Sequence, residues 1–240
     1  QLKHDPHPLL DLVALAIVSD VAVQRGDTRF LLQQGLEMLR KNHRPGLNAL
    51  YESINLNPSE ITSDDIGFQI GPRLNALGRL ADAKPAVRFL TTADSSEARL
   101  LAERLEGLNM RRKELTEEIY LAALEMIEHA PDLVDDYRAL VLSDPGWHPG
   151  AIAIVASRLA GRFEKPALLF VEEGKKVRGS ARSVSGISII DMIHSQNQLL
   201  ISYGGHPMAA GMHLLKKNLP AFRRGLSNAI NELAREKDLR

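Results

Sequence analysis

The sequence predicts an α/β protein in which a helical N-terminal part leads into one long helix and then into a mixed sheet with helices packed on it. Three observations predict this fold class. Residues 9–23 are almost wholly apolar, residues 95–129 show helical apolar spacing, and short apolar strands alternate with helical segments after Pro131. At 240 residues, the chain can form one large domain or two small ones.

Composition excludes several classes of protein. The 30 Lys and Arg balance 30 Asp and Glu, so a globally basic nucleic-acid binder is excluded. The chain has no cysteine, which excludes disulfides and thiolate metal sites. No apolar run reaches the roughly 18 residues of a membrane span, and no signal peptide is visible. We therefore expect a cytoplasmic protein without a membrane partner, and the start on Gln1 suggests a piece of a longer protein.

The N-terminal part is expected to contain two helices. The apolar run at 9–23 could be a buried helix or a buried strand, and its length of 15 residues favours a helix. A second helix is predicted over 28–40, with Asp27 as its N-cap. Pro45-Gly46 is expected to break the pattern, and Gly71-Pro72 with Gly78 to mark an irregular stretch.

Residues 95–129 give the clearest single element. Apolar side chains recur every three or four residues, with Arg112 as the one basic interruption, and Pro131 follows the last of them. Such a helix spans on the order of 50 Å. We interpret it as a connector between two lobes, and an antiparallel coiled coil is the alternative.

After Pro131 the pattern changes to alternating strands and helices. Strands are predicted at 138–143, 167–171, 176–181 and 212–215, and helices at 152–163, 188–200 and 219–236. This alternation favours a mixed sheet with helices packed on it.

The stretch Tyr203-Gly-Gly-His-Pro-Met-Ala-Ala-Gly211 is the most informative motif. Two glycines let the backbone approach a ligand closely, and His206 can donate to a phosphate oxygen or accept a proton. The alternative is a tight loop that enters a buried strand at Met212.

Two further segments could bind phosphate. His148 follows a predicted strand and precedes a helix, where free N–H groups favour anions; a plain strand-to-helix turn is the alternative. Ser180 and Arg182 lie two residues apart, so in a strand they share one face and could clamp a phosphate. The alternative is a solvated basic strand.

Residues 158–182 carry seven Lys and Arg against three Asp and Glu, and residues 71–88 carry four Lys and Arg against one Asp. A neutral chain with two basic segments suits a protein that binds a polyanion in a groove.

Taken together, five motifs resemble one family. They are Asp-Leu-Val-Ala-Leu-Ala-Ile-Val-Ser-Asp (11–20), Gly-Pro-Arg-Leu-Asn-Ala-Leu-Gly-Arg-Leu (71–80), Trp-His-Pro-Gly-Ala-Ile-Ala-Ile-Val-Ala-Ser-Arg (147–158), Gly-Ser-Ala-Arg-Ser (179–183) and Gly-Gly-His-Pro-Met-Ala-Ala-Gly (204–211). The chain resembles the RecJ single-strand-specific 5′→3′ exonucleases of the DHH phosphoesterase superfamily over nearly its whole length. The resemblance implies three parts: the C-terminal end of a DHH lobe (1–94), a long connecting helix (95–130) and a DHH-associated substrate-binding domain (131–240).

The resemblance also implies a set of site residues. Asp20 matches a metal-binding aspartate of a two-metal site for Mn²⁺ or Mg²⁺. Without the family, the residue alone favours a helix-terminal carboxylate that faces water. His148 and His206 are the candidate catalytic residues. The candidate substrate-binding residues are Arg73, Arg79, Arg158, Ser180, Arg182, Gly204, Gly205 and His206. The implied partners are single-stranded DNA, a single-strand-binding protein and a helicase, in DNA repair and recombination.

Departures from the family pattern limit what this chain is expected to do. The family's Asp-x-Asp and Asp-His-His metal motifs are absent, so we expect the chain alone to bind nucleic acid without hydrolysing it. Ser19, Ala151 and Ala153 are milder departures. Two alternatives stay open: a DHH-family phosphodiesterase for oligonucleotides or cyclic dinucleotides, and a non-catalytic DNA-binding module or partner subunit.

Overall fold

The computed structural model describes residues 5–41 and 44–238 of the chain. These residues form two compact units, Gln1–Arg112 and Lys113–Arg240, and each is described by itself. The regular elements of the first unit's described part are all helices, and the second unit is built around a five-stranded sheet. The α/β fold class predicted from the sequence is confirmed.

The first unit is built from short helices that pack around one apolar core. Their bounds are α1 (Leu10–Ser19), α2 (Asp27–Lys41), α3 (Pro45–Ser53), α4 (Ser63–Asp65), a π-helical turn (Ile66–Ile70), α5 (Gly71–Leu80), α6 (Lys84–Thr91) and the start of α7 (Ser95–His129). The α1 and α2 backbones approach closely because Gly35 has no side chain. A Cβ there would lie 2.3 Å from the Leu10 carbonyl oxygen.

A buried ion pair fixes α1 within this unit. The Arg44 guanidinium donates two hydrogen bonds to the Asp11 carboxylate and one to the Leu90 carbonyl oxygen at 2.8 Å. Both side chains are at most one-fifth exposed. Arg44 therefore connects the start of α1 to the end of α6.

Several sequence predictions for this unit were wrong in detail. The apolar run 9–23 forms a helix only to Ser19, and Val21 and Val23 are exposed. Asp27 is the first residue of α2 rather than its N-cap. Pro45 starts α3, and Gly71-Pro72 starts α5, which continues through Gly78. Proline is compatible with the first turn of a helix, where its missing N–H would have no partner in any case.

The predicted long helix is confirmed with its bounds, since α7 spans Ser95–His129. Its early residues Ala98, Ala102 and Leu105 are buried in the core of the first unit, whereas Ile119 and Ala123 are buried in the second.

The second unit contains a sheet with strand order β1-β2-β3-β5-β4. The strands are β1 (Leu140–Asp144), β2 (Ala167–Glu173), β3 (Lys176–Arg182), β4 (Leu200–His206) and β5 (Ala209–Leu215). Only the β1–β2 pair is parallel, so the sheet is mixed. The helices are α8 (Asp132–Asp135), α9 (Pro149–Phe163), α10 (Ile189–His194) and α11 (Leu219–Asp238).

The two faces of the sheet are covered differently. On one face, side chains of β1, β2, β3 and β5 pack on α10 and α11, and β4 contributes the partly buried Leu200. Phe170 meets Phe222 edge to face on this side, with ring centroids 6.1 Å apart. On the other face, α9 and the second part of α7 cover the side chains of β1 and β2. On β3, β5 and β4 the side chains of this second face are exposed or half-exposed.

The glycine-histidine motif forms a hairpin, which corrects the sequence prediction of a loop. Gly204, Gly205 and His206 belong to β4, Pro207-Met208 form the turn, and β5 begins at Ala209. The predicted helix over 188–200 ends at His194, and β4 starts at Leu200. Pairing of β4 with β5 is irregular at Ile201, where a bulge separates the Leu200 and Ser202 pairs. β4 is thus a bulged strand at the edge of the sheet.

Among the described helices, none combines the length and apolar character that would let it cross a bilayer.

Candidate nucleic-acid interface

Nine residues of β3, β5 and β4 line the half-exposed part of the sheet, which we call the open face. Pairing registers place directly opposite residues on one face, so the nine residues form three cross-strand rows. The rows are Arg182–Ala209–His206, Ser180–Gly211–Gly204 and Arg178–His213–Ser202. The alternating residues of β3 and β5 point to the other face and are buried, which confirms that Ser180 and Arg182 share a face.

The middle row forms a floor almost without side chains. Gly204 and Gly211 contribute only backbone, and Ser180 contributes one hydroxyl. A Cβ added at Gly204 would meet no atom within 4 Å, so the space above it is open. A ligand can therefore approach the strand backbone closely here.

The first row places a guanidinium and an imidazole at one end of this floor. Arg182 donates from Nη1 to its neighbour's carbonyl oxygen, on Ala181, at 2.8 Å, and His206 is exposed. Gly205, which precedes His206, has a φ of 150°. A Cβ added at this position would lie only 2.4 Å from the Ala209 carbonyl oxygen and would also contact Ala210. Glycine is therefore required at 205 for the chain to reach His206 in this geometry.

Backbone hydrogen bonds hold the hairpin turn beside this row. The Ser183 amide donates to the Met208 carbonyl oxygen at 3.0 Å, and the Ile189 amide donates to the Pro207 carbonyl oxygen at 2.8 Å. The turn that follows His206 is thus attached both to the end of β3 and to the start of α10.

The third row was missed by the sequence analysis. Arg178 and His213 lie opposite each other, and Ser202 Oγ is hydrogen-bonded to His213 Nδ1 at 3.2 Å. The alternation of β3 would have placed Arg178 with Ser180, which was the available signal. The partners from β4 and β5 could not be found without the hairpin register.

His148 and His206 lie at opposite ends of the sheet. β1 ends at Asp144, which pairs with Val171 of β2, and Val171 in turn pairs with Arg178 of β3. His148 follows Asp144 by four residues, so it lies toward the end of the sheet that carries the Arg178 row, whereas His206 belongs to the Arg182 row. His148 is the N-cap of α9: its Nδ1 accepts a hydrogen bond from the Gly150 amide at 3.0 Å. Because Nδ1 accepts, a neutral ring carries its proton on Nε2, which can donate to an anion.

Arg158 is engaged with α7. Its Nη1 donates to Glu117 Oε2 at 2.7 Å, and its guanidinium lies 3.7 Å from the centre of the Tyr120 ring. These contacts fasten α9 to α7, and a substrate-binding role for Arg158 stays a prediction.

In the first unit, Asp20 is exposed at the C-terminus of α1, at the rim of a depression that Ser19 and Asn75 also line. Within residues 5–41 and 44–238, no three His, Asp or Glu side chains lie close enough together to hold a metal ion. Asp20 can supply one carboxylate ligand, fewer than the several ligands that a resident divalent cation needs.

Arg73 and Arg79 lie on α5 and are grouped with Arg112 of α7. Arg73 is mostly buried; it pairs with Glu106 and donates from Nη1 to the Gln69 carbonyl oxygen at 2.7 Å. Arg112 donates from Nη2 to Oδ1 of the fully buried Asn109 at 2.9 Å. Arg112 was noticed in the sequence only as an interruption of an apolar stripe.

The electrostatics of this arginine group favour an anion. Burial lowers the pKa of Arg79. Burial, followed by the positive charges of Arg79 and Arg73, lowers the pKa of Arg112. Arg79 and Arg112 nevertheless stay charged, since arginine does not lose its proton in proteins. The Glu106 carboxylate already offsets the charge of Arg73, and a bound anion would further relieve the repulsion.

Comparisons with known proteins show which family this chain resembles. Residues 136–232 match the DHHA1 domain family. The single-stranded-DNA-specific exonuclease RecJ of Bacillus subtilis (strain 168) is 37% identical over 235 residues, which are 97% of this chain and 30% of that protein. RecJ of Escherichia coli (strain K12) is 36% identical over 233 residues, 93% of this chain and 40% of that protein. The resemblance to RecJ is confirmed.

Solved RecJ structures share the fold. A crystal structure of RecJ from Thermus thermophilus in complex with Mg²⁺ matches with a TM-score of 0.84 and 33% identity, covering 96% of this chain and 35% of that one. A crystal structure of exonuclease RecJ bound to manganese matches with a TM-score of 0.75 and 34% identity, covering 93% of this chain and 55% of that one. This chain thus spans less than half the length of the curated RecJ relatives that it matches.

Proposed function

We propose that this chain is the substrate-binding part of a RecJ-like, single-stranded-DNA-specific 5′→3′ exonuclease that acts in DNA repair and recombination. The open face carries the proposal. Ser180, Arg182, Gly204 and His206, all singled out in the sequence for phosphate binding, lie on one exposed face of one sheet. The RecJ relatives support the same function.

The chemistry of the face suits a nucleic-acid backbone. The Arg182 guanidinium and the His206 imidazole can contact phosphate oxygens, and the Ser180 hydroxyl can donate to a third. The bare floor at Gly204 admits a sugar or phosphate against the strand. In this proposal, Gly205 sets the hairpin geometry, His148 donates from Nε2 to an anion, and Arg158 acts through the position of α9.

The arginine group of the first unit supports the same class of ligand. Arg73 and Arg79, with Arg112, concentrate positive charge on α5 and α7, and such charge stabilises a phosphate chain without selecting its sequence.

The metal pair of the proposed exonuclease, Mn²⁺ or Mg²⁺, is not held by the described residues of this chain alone. Bound metals of this kind supply an activated water and neutralise developing charge on the phosphate. Asp20 offers one ligand at most, so we assign no hydrolytic step to these residues. We expect the chain to bind single-stranded DNA without cleaving it.

Binding is tested by titrating the chain with a fluorescent 5′-phosphorylated oligonucleotide across a salt series. Arg182→Ala should weaken binding roughly tenfold, since hydrogen bonds to charged groups contribute about 1.5–3 kcal/mol. Arg224→Ala is the matched control, because Arg224 is exposed on α11, which packs on the other face of the sheet. Equal effects of the two substitutions, or no binding at low salt, would contradict the proposed interface.

Cleavage is tested by incubating the same oligonucleotide with the chain and Mn²⁺. Intact oligonucleotide is the expected result. Release of mononucleotides by the purified chain would show that the described residues suffice for hydrolysis.

The same titration separates the two alternative functions. If the chain belongs to a DHH-family phosphodiesterase for short substrates, a cyclic dinucleotide should displace the fluorescent oligonucleotide when the two ligands are present at comparable concentrations. We expect poor displacement, because the three rows offer an extended face rather than an enclosed pocket. A non-catalytic binding module would bind as proposed, and the metal motifs of its parent protein would be missing.

The remaining parts of the proposal come from the sequence and from the resemblance. They are the three segments 1–94, 95–130 and 131–240, a cytoplasmic location, and association with a single-strand-binding protein and a helicase.

A further inference from the structure

The third row of the open face has features that the function proposed above does not use. Arg178 is exposed on β3, two residues before Ser180, and faces His213 across the β3–β5 pair. Ser202 Oγ is hydrogen-bonded to His213 Nδ1 at 3.2 Å. The row therefore presents a guanidinium and an imidazole on the same face as Arg182 and His206.

The two basic rows are separated by a fixed distance. Successive rows are two strand residues apart, about 7 Å, so the Arg178 and Arg182 rows are about 14 Å apart. Between them lies the floor of Ser180, Gly211 and Gly204, which carries no charge. None of the nine positions is a carboxylate, so nothing on the open face offsets the positive charge at its ends.

We propose that the row Arg178–His213–Ser202 is a second phosphate subsite. In this arrangement, one phosphate of a single-stranded DNA lies at Arg182 and His206, and another phosphate of the same strand lies at Arg178 and His213. Consecutive phosphates of a single strand are about 7 Å apart, so two nucleotides and the phosphate between them cross the glycine floor. This inference rests on the proposed function, because it extends the same interface by one row and names the ligand that spans it.

The residues of the row have distinct roles. Arg178 supplies a permanent charge and planar donors for phosphate oxygens. Ser202 Oγ is hydrogen-bonded to Nδ1 of the His213 ring, so in this proposal the ring contacts the phosphate through Nε2. A ligand with a single phosphate is too short to reach both ends of the face, whereas an oligonucleotide reaches both.

The test measures binding of a fluorescent oligothymidylate of about twelve residues to the chain over a range of salt concentrations. Arg178→Gln should weaken binding roughly tenfold at low salt. It should also reduce the slope of log affinity against log salt by about 0.7, the value for one lost contact to a single strand. His213→Leu should weaken binding by about threefold, and Arg178→Lys should restore most of the salt slope because it keeps the charge.

Arg224→Gln is the control for a lost positive charge elsewhere in the same unit, and it should change neither quantity. Unfolding of each variant, followed by Trp147 fluorescence, checks that the sheet is intact. If Arg178→Gln behaves like Arg224→Gln while Arg182→Ala still weakens binding, the second subsite is wrong and the proposed function stands. If the unaltered chain does not bind the oligonucleotide at low salt, the proposed function fails and this inference fails with it.

Discussion

Replacing Gly205 by alanine should destabilise the second unit strongly. The backbone φ of 150° is a conformation that non-glycine residues rarely adopt, which costs about 1–3 kcal/mol. The new Cβ would also lie 2.4 Å from the Ala209 carbonyl oxygen and 2.5 Å from the Ala210 Cα. Because these are backbone atoms that cannot rotate away, overpacking adds about 1–3 kcal/mol. The sum is a loss of about 2–6 kcal/mol in unfolding free energy.

The neighbouring glycine provides a matched control. Gly204 has no heavy atom within 4 Å of its built Cβ, so Gly204→Ala should be neutral or stabilise by up to about 1 kcal/mol. The added methyl lies on the floor of the open face, so Gly204→Ala should still weaken binding of single-stranded DNA. The two glycines would thus separate a loss of stability from a loss of binding.

Urea unfolding followed by tryptophan fluorescence is the assay. Trp147 is the only tryptophan of the chain and is buried in the second unit, so its emission reports on that unit. With a urea dependence of about 1.5 kcal/mol per M, Gly205→Ala should lower the urea midpoint by about 1–4 M. Equal midpoints for Gly204→Ala and Gly205→Ala would refute this reasoning about the hairpin backbone.

Three further predictions concern the packing and charge pairs. Gly179→Ala should destabilise the second unit by about 1–3 kcal/mol, because its Cβ would lie 2.3 Å from the Phe170 ring; an unchanged Trp147 midpoint would argue against it. Arg44→Ala should destabilise the first unit by about 3–5 kcal/mol by leaving the Asp11 carboxylate buried without its partner, as measured by thermal unfolding in circular dichroism. A hydrogen bond from Lys216 lowers the pKa of Glu172 in the folded protein. The Lys216–Glu172 pair should therefore stabilise the second unit by less than about 1 kcal/mol. This stabilisation is full above the unfolded pKa of about 4.3 and is lost as pH falls through the lowered folded pKa. The difference in urea midpoint between Glu172→Gln and the unaltered chain should therefore vanish in acid. A difference that does not change with pH would contradict this account of the Glu172 carboxylate.

Local patterns determined how much of the fold could be predicted. The bounds of α7 were predicted correctly because spacing by three and four residues persists until Pro131 ends it. The strand predicted over 176–181 is β3, and the spacing of Ser180 and Arg182 by two residues placed them on one face. The errors at Pro45 and Pro72 arose because a proline that starts a helix resembles one that interrupts a helix.

Long-range pairing was not available from the sequence. The partner of Asp11 is Arg44, 33 residues away, and no local rule connects them. The third row of the open face depends on the registers of two antiparallel pairs, and the hairpin that sets one of them was taken for a loop. The glycines of the hairpin were ambiguous in the sequence. Glycine is typical of a tight turn, and it also occurs in a strand whose surface must be free of side chains.

The bulge at Ile201 has a consequence for how the chain behaves in concentrated solution. A strand at the edge of a sheet presents free backbone groups that can pair with another molecule and begin aggregation. β4 is such a strand, and its two glycines give it little side-chain bulk to block a stacked neighbour. The extra residue at Ile201 interrupts the regular spacing of those backbone groups and increases the local twist. The edge is therefore a poor template for intermolecular pairing, although the face beside it stays exposed.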